Sequence, residues 1–152
     1  MGAFRVITGS YAETEDFGFK IGQAIKAILK SANVCLYGDL GAGKTTLIKG
    51  IASAFGISKR DVGSASFVLV AEYETSPPFY HIDLYRLERA EDVEALGLWE
   101  YLEAGGVSVI EWAERLPETP DKAVTVKIGY LDEDSREIII EGIPGSFFEE
   151  QV

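Results

Sequence analysis

With 152 residues, 47% of them apolar and 26% charged, the chain has the length and composition of one packed domain, which excludes disordered and fibrous classes. Its formal charge of −11, from 25 acidic against 14 basic residues, repels nucleic-acid phosphates over most of the surface and argues against a stand-alone RNA binder. The first ten residues lack an export signal, no run approaches a membrane span, and the lone Cys35 in Val34-Cys35-Leu36-Tyr37 excludes an intrachain disulfide and suits a reducing cytosol.

In chain order, residues 4–8 read as a short strand. Residues 12–30 then place Phe17, Ile21, Ile25, Ile28 and Leu29 at helical spacing, with Thr14 as the candidate cap. Residues 33–37 form an apolar run that stops at glycine, as a buried parallel strand does, and helical spacing resumes over 45–55 through Leu47, Ile48, Ile51 and Phe55. Strands are predicted over 67–73 and 79–84 on either side of Pro77-Pro78, followed by one or two short helices over 89–103 interrupted near Gly97. Residues 107–110 are an apolar run ending at Glu111. The tail, 124–130 and 137–141, alternates in period two around Asp132-Glu133-Asp134-Ser135, which predicts an antiparallel hairpin closing the sheet. No repeat or interdomain linker interrupts this order, so residues 1–152 are expected to form one domain. The acid is uneven: residues 88–121 carry ten carboxylates against Arg89 and Arg115, either a solvated surface or a docking face for a basic partner.

Gly38-Asp39-Leu40-Gly41-Ala42-Gly43-Lys44-Thr45 satisfies G-x-x-x-x-G-K-[ST] between a predicted strand and a predicted helix, the context that confirms a phosphate-binding loop. Backbone N–H groups must turn inward around the phosphates, which glycine permits cheaply, and the helix N-terminus adds partial positive charge. Lys44 is then placed for the β- and γ-phosphates, Thr45 for magnesium, and Thr46 for the α-phosphate or the helix cap. The predicted fold is α/β, a three-layer P-loop NTPase-like architecture with a mainly parallel sheet, helices on both faces and a C-terminal antiparallel hairpin.

Magnesium at such a loop needs a second acidic group, usually at the end of an apolar strand. Asp83 follows Phe79-Tyr80-His81-Ile82, and Glu111 follows Val107-Ser108-Val109-Ile110. In a parallel sheet both emerge at the edge that carries the loop; one would hold the metal's water shell while the other orients or deprotonates the attacking water, and the sequence leaves that division open. His81, the one histidine, falls on the face of Asp83 or in the core. Arg86 can counter transferred charge or form an ion pair, and Trp112 can stack near the nucleotide or fill the core.

The phosphate loop with Thr46, the segment His81-Ile82-Asp83-Leu84-Tyr85-Arg86-Leu87 and the segment Ile110-Glu111-Trp112 together resemble the bacterial TsaE (YjeE) family in order and spacing. The resemblance implies that Lys44, Thr45 and Thr46 bind phosphates and magnesium, that Asp83 and Glu111 are the essential acidic residues with Glu111 touching magnesium, and that Trp112 is the family's tryptophan beside that glutamate. It also implies a switch segment at Ser64-Ala65-Ser66-Phe67, where the family's proline is replaced and Ser66 is left to approach the γ-phosphate. Glu13-Thr14 followed by Phe17-Gly18 resembles the family's segment near the base, which brings in Thr14. The activity implied is Mg-dependent ATP hydrolysis in support of threonylcarbamoyladenosine formation on tRNA, with TsaB and TsaD as partners, tRNA contacted only indirectly, and no membrane. A small-molecule or nucleotide kinase is the alternative, but Arg60, Arg86 and Arg89 are scattered rather than grouped in a lid. A GTPase would need an Asn-Lys-x-Asp segment, which does not occur. A nucleotide sensor that does not hydrolyse has little use for both Asp83 and Glu111.

Overall fold

The computed structural model describes residues 2–39, 42–62, 70–87 and 89–149, with the backbone alone at 90 and 93. In chain order the elements are β1 (Phe4–Thr8), α1 (Tyr11–Ala24), β2 (Ala32–Tyr37), α2 (Lys44–Ser53), β3 (Val70–Tyr73), β4 (Phe79–Asp83), α3 (Ala90–Ala95), α4 (Leu98–Leu102), β5 (Val107–Glu111), β6 (Val124–Tyr130), β7 (Arg136–Glu141) and α5 (Gly145–Glu149). The strands make one sheet in the order β1-β7-β6-β2-β5-β4-β3. Strands β6, β2, β5 and β4 run parallel, whereas β7, β1 and β3 pair antiparallel with their neighbours.

The expected hairpin forms from β6 and β7, but it does not close the sheet. Phe4 pairs with Ile140 and Thr8 with Arg136, so β1 forms the edge. Alternation along β7 explains this: Ile138 and Ile140 are both fully buried, and a strand apolar on its inner face gains by having neighbours on both sides.

Side chains on the two sheet faces enter two separate cores. On one face Val34, Leu36, Val109 and Val126 pack with Ile21 of α1 and Leu47, Ile48 and Ile51 of α2. On the other, Cys35, Ile82 and Ile110 pack with Leu98 and Leu102 of α4, giving three layers. Phe4, Phe17 and Phe148 stack across the first core, joining β1, α1 and α5 with ring centroids 5.1 to 6.4 Å apart.

The first helix differs from its predicted form at both ends. Ser10, not Thr14, is its cap: the Ser10 hydroxyl accepts from the Glu13 amide at 3.1 Å, and Thr14 lies inside the helix. The regular α1 stops at Ala24 and continues as a π turn, Ile25–Leu29. Widening the turn rotates the following side chains relative to a 3.6-residue period, which carries Ile28 off the buried face to 44% exposure.

Helices α1 and α2 touch backbone to backbone. A methyl group built on Gly50 would lie 2.0 Å from the Glu15 carbonyl oxygen and 2.9 Å from the Phe19 nitrogen, and one on Gly18 would lie 2.3 Å from the Leu47 carbonyl oxygen. Glycine inside a helix costs about 1 kcal/mol relative to alanine, and here the close approach of two helices is what it permits. The phosphate-loop helix is thereby held against α1 along its length.

Burial pushes the Cys35 thiol from its ordinary 9.0 up to about 11, partly offset by a hydrogen bond with the Tyr37 side chain. The folded state therefore disfavours the thiolate, and stability is expected to fall between pH 9 and pH 11, where an unfolded chain ionises this group and the folded one resists. Cys35→Ala should flatten that loss in urea titrations run at pH 8 and pH 10.5. A parent whose stability is the same at both values would contradict it.

Candidate functional site

Parallel pairing sets Leu36 level with Glu111, and Glu111 level with Asp83. The strand that feeds the loop at residues 38–43 and both acidic strand ends thus reach one edge of the sheet. Period-two alternation puts both carboxylates on the face of Val34, Leu36 and Val109, the face that α2 covers.

The loop is shaped by two glycines with different tasks. A methyl group on Gly38 would lie 2.7 Å from the Ile128 carbonyl oxygen, so β6 can approach only a glycine there. Gly43 adopts φ +98°, a left-handed value that side chains rarely tolerate, and serves as the α2 N-cap without any side-chain hydrogen bond. Between them the Ala42 amide donates to the Asp39 carbonyl at 3.1 Å, and the Leu47 amide closes the first helical turn on the Gly43 carbonyl. Lys44, Thr45 and Thr46 then occupy the first turn of α2, where amide N–H groups have no acceptor within the helix and the dipole presents its positive end. Asp39 and Thr45 are exposed and Thr46 is half-buried, whereas Leu40, Gly41 and Ser66, with the rest of Ser64-Ala65-Ser66-Phe67, lie outside the described residues.

Lys44 is only 6% exposed, and its ammonium has no hydrogen-bonding partner among the described residues. It lies 4.0 Å from the centroid of the Trp112 ring. A cation–π contact satisfies part of a buried ammonium but none of its three donors, so an anion with several acceptor oxygens fits this position. Trp112 reaches it because the residue after β5 turns left-handed, at φ 58° and ψ 44°, a conformation that is strained for a bulky side chain. The indole packs partly buried against the second core and also roofs Lys44, meets Tyr85 at 5.1 Å between centroids, and carries the Arg115 guanidinium at 5.5 Å on its ring. Arg115 is held in turn by donation to the Leu87 carbonyl.

His81 shares the face of Asp83 and is also buried. Its Nε2 lies 2.7 Å from Oε2 of Glu111, with His81 4% and Glu111 8% exposed. A carboxylate partner calls for the ring proton on Nε2, so His81 donates and fixes one oxygen of Glu111. Asp83 is more open, and its Oδ1 accepts from the Tyr85 amide at 2.9 Å, which turns the chain at the end of β4. Thr14 is closed in, with its hydroxyl 2.6 Å from that of Thr8. The structure therefore gathers Lys44, Asp83, Glu111 and Trp112 at one edge, while Thr14 is buried beside Thr8, which pairs with Arg136.

Arg136 was not among the residues singled out from sequence. It is buried at 3% exposure, and its Nε donates to the Ala42 carbonyl of the loop at 2.9 Å. The available signal was its inward position in the alternation Arg136, Ile138, Ile140, where an apolar residue is the rule. The acidic segment 88–121 is divided between this edge, which holds Glu111, and a second place. Glu103, Glu118 and Asp121 line an open groove of about 630 Å³ beside Asn33, toward the opposite end of β2 from the loop.

A glycine loop between a buried parallel strand and a helix, with acidic strand ends level beside it, defines the P-loop class of α/β nucleotide-binding proteins. The family model for the threonylcarbamoyl adenosine biosynthesis protein TsaE matches residues 8–138. The chain belongs to the TsaE family. Among tRNA threonylcarbamoyladenosine biosynthesis proteins TsaE, the chain is 38% identical to that of Nostoc over 138 residues, covering 88% of this chain and 82% of the relative. It is 40% identical to the Bacillus subtilis protein over 126 residues, covering 81% and 78%. The Treponema pallidum protein is 36% identical over 137 residues, covering 90% and 98%. The crystal structure of Bacillus subtilis YdiB superposes with a TM-score of 0.70 at 31% identity, covering 97% of this chain and 90% of that one. Among the described residues no helix is long and apolar enough to cross a membrane.

Proposed function

We propose that this TsaE-family protein binds ATP with magnesium at the loop and hydrolyses it, in the cytoplasm, to sustain formation of threonylcarbamoyladenosine on tRNA together with TsaB and TsaD. The observation that carries this reading is the buried Lys44 ammonium, without a hydrogen-bonding partner among the described residues, at the sheet edge where Asp83 and Glu111 stand level. In this reading amides of Gly38, Asp39, Leu40, Gly41, Ala42 and Gly43 surround the phosphates, Lys44 neutralises the β- and γ-oxygens, and Thr46 donates to the phosphate chain. Thr45 with Asp83 and Glu111 would hold magnesium, which when bound neutralises charge on the phosphate oxygens.

His81 occupies Oε2 of Glu111, so Oε1 is the oxygen turned to chemistry. Glu111 accepts a proton from a water whose oxygen attacks the γ-phosphorus while the bond to the departing ADP oxygen breaks. Trp112 covers Lys44 from the side of β5, Thr14 steadies the start of α1 through Thr8, and Ser66 approaches the γ-phosphate. The charge of −11 supports leaving the tRNA to the partners.

Purified protein should hydrolyse ATP slowly alone and faster with TsaB and TsaD. Glu111→Gln is expected to lower the stimulated rate about 100-fold or more, with nucleotide affinity measured without magnesium within a few-fold of the parent, because Glu111 serves the metal and the attacking water rather than the phosphates. Phosphate appearing on a small-molecule acceptor, with no response to the partners, would replace this reading with a kinase.

A further inference from the structure

We propose that Arg136 is a positioning residue that sets the phosphate loop for its ligand, acting through the Ala42 carbonyl and touching no phosphate itself; this rests on the nucleotide-site reading above. Arg136 begins β7, and its guanidinium spans two parts of the chain distant in sequence. Nε donates to the Ala42 carbonyl at 2.9 Å, and Nη1 donates to the carbonyls of Asp132 at 2.7 Å and Ser135 at 2.9 Å in the turn of the β6–β7 hairpin. The same group lies over the Tyr130 ring at 4.8 Å and the Tyr11 ring at 5.8 Å.

Three features separate this from an ordinary hairpin staple. The inner positions of β7 are otherwise isoleucines, and a buried arginine carries a desolvation cost that isoleucine would not. The contact lands on the residue next to Gly43, whose left-handed angle aims the first amides of α2; a methyl group on Gly43 would lie 3.4 Å from Arg136 Nε, so the guanidinium packs against that residue also. Holding the Ala42 carbonyl outward, toward β7, leaves the neighbouring N–H groups facing the ligand, which is what an anion-binding loop requires.

The test compares the parent with Arg136→Gln and Arg136→Lys by calorimetric titration with ADP and, separately, with inorganic tripolyphosphate, which engages the loop but no base-binding surface. Lysine keeps the charge but not the planar fork, and therefore should not rescue. Both variants are expected to bind both probes about tenfold more weakly, and to raise the KM for ATP about tenfold with kcat within about twofold. If Arg136→Gln does not fold, Arg136→Lys alone decides. Variants that bind both probes like the parent would overturn the inference and leave the nucleotide site standing. A loss confined to ADP would overturn it in favour of a role beside the base. A parent that binds neither probe would remove the nucleotide-site reading and this inference with it.

Discussion

Lys44→Ala is expected to weaken ATP binding by about 2–5 kcal/mol, some thirtyfold to several thousandfold, because it removes a buried charge-assisted contact to phosphate. Its effect on folding should be small, and the reason lies in the surroundings of the ammonium. The side chain is 6% exposed and lacks a hydrogen-bonding partner among the described residues, so its removal ends an unfavourable burial. It also ends the contact with the Trp112 ring, about 1–2 kcal/mol at a desolvated site, and the two changes oppose each other. Titration with ATP alongside urea unfolding separates the quantities. Binding retained within threefold would remove Lys44 from the site, and a large loss of stability would mean that the ring contact dominates its energetics.

Gly50→Ala should cost about 3 kcal/mol or more of folding stability, a large share of the roughly 5–15 kcal/mol that holds a domain together. The added methyl group would meet the Glu15 carbonyl oxygen and the Phe19 nitrogen, both backbone atoms of α1 that cannot step aside as a side chain would. The sign is decisive, because helix propensity alone predicts that alanine here stabilises by about 1 kcal/mol. Gly129→Ala, where nothing lies within 4 Å of the added carbon, is the control and should change stability by less than about 0.5 kcal/mol. A Gly50→Ala protein as stable as the parent would show that the helix seam can open without penalty.

What was legible in the sequence was local. The phosphate loop is contiguous, so its chemistry can be read from Gly38 to Thr45 without knowing the fold, and β4 and β5 ended at the acidic residues expected of them. The levelling of Asp83 with Glu111 depends on which strands are neighbours, and neither hydropathy nor spacing encodes that. The same limit hid the His81–Glu111 contact, since a histidine two residues before an aspartate says nothing of the strand beside it. Arg136 escaped for a related reason: it lies 94 residues from Ala42, and only the sheet order brings the two together. Thr14 was misplaced as a cap because Ser10, one turn earlier, meets the capping pattern with Glu13 at the third helical position.

The pairing of β1 with β7 has a consequence for the order of events on the ribosome. Strand β2, the loop and α2 are synthesised well within the first half of the chain, but β6, which flanks β2, and β7, which carries the tie to Ala42, emerge near the end. Phe4 must wait for Ile140 before the edge of the sheet can zip. Contacts of such long sequence separation form late and slowly. The nascent chain therefore carries a complete phosphate-loop sequence for most of its synthesis without the strand that holds the loop in place, and it can become competent for its ligand only once the hairpin has been released.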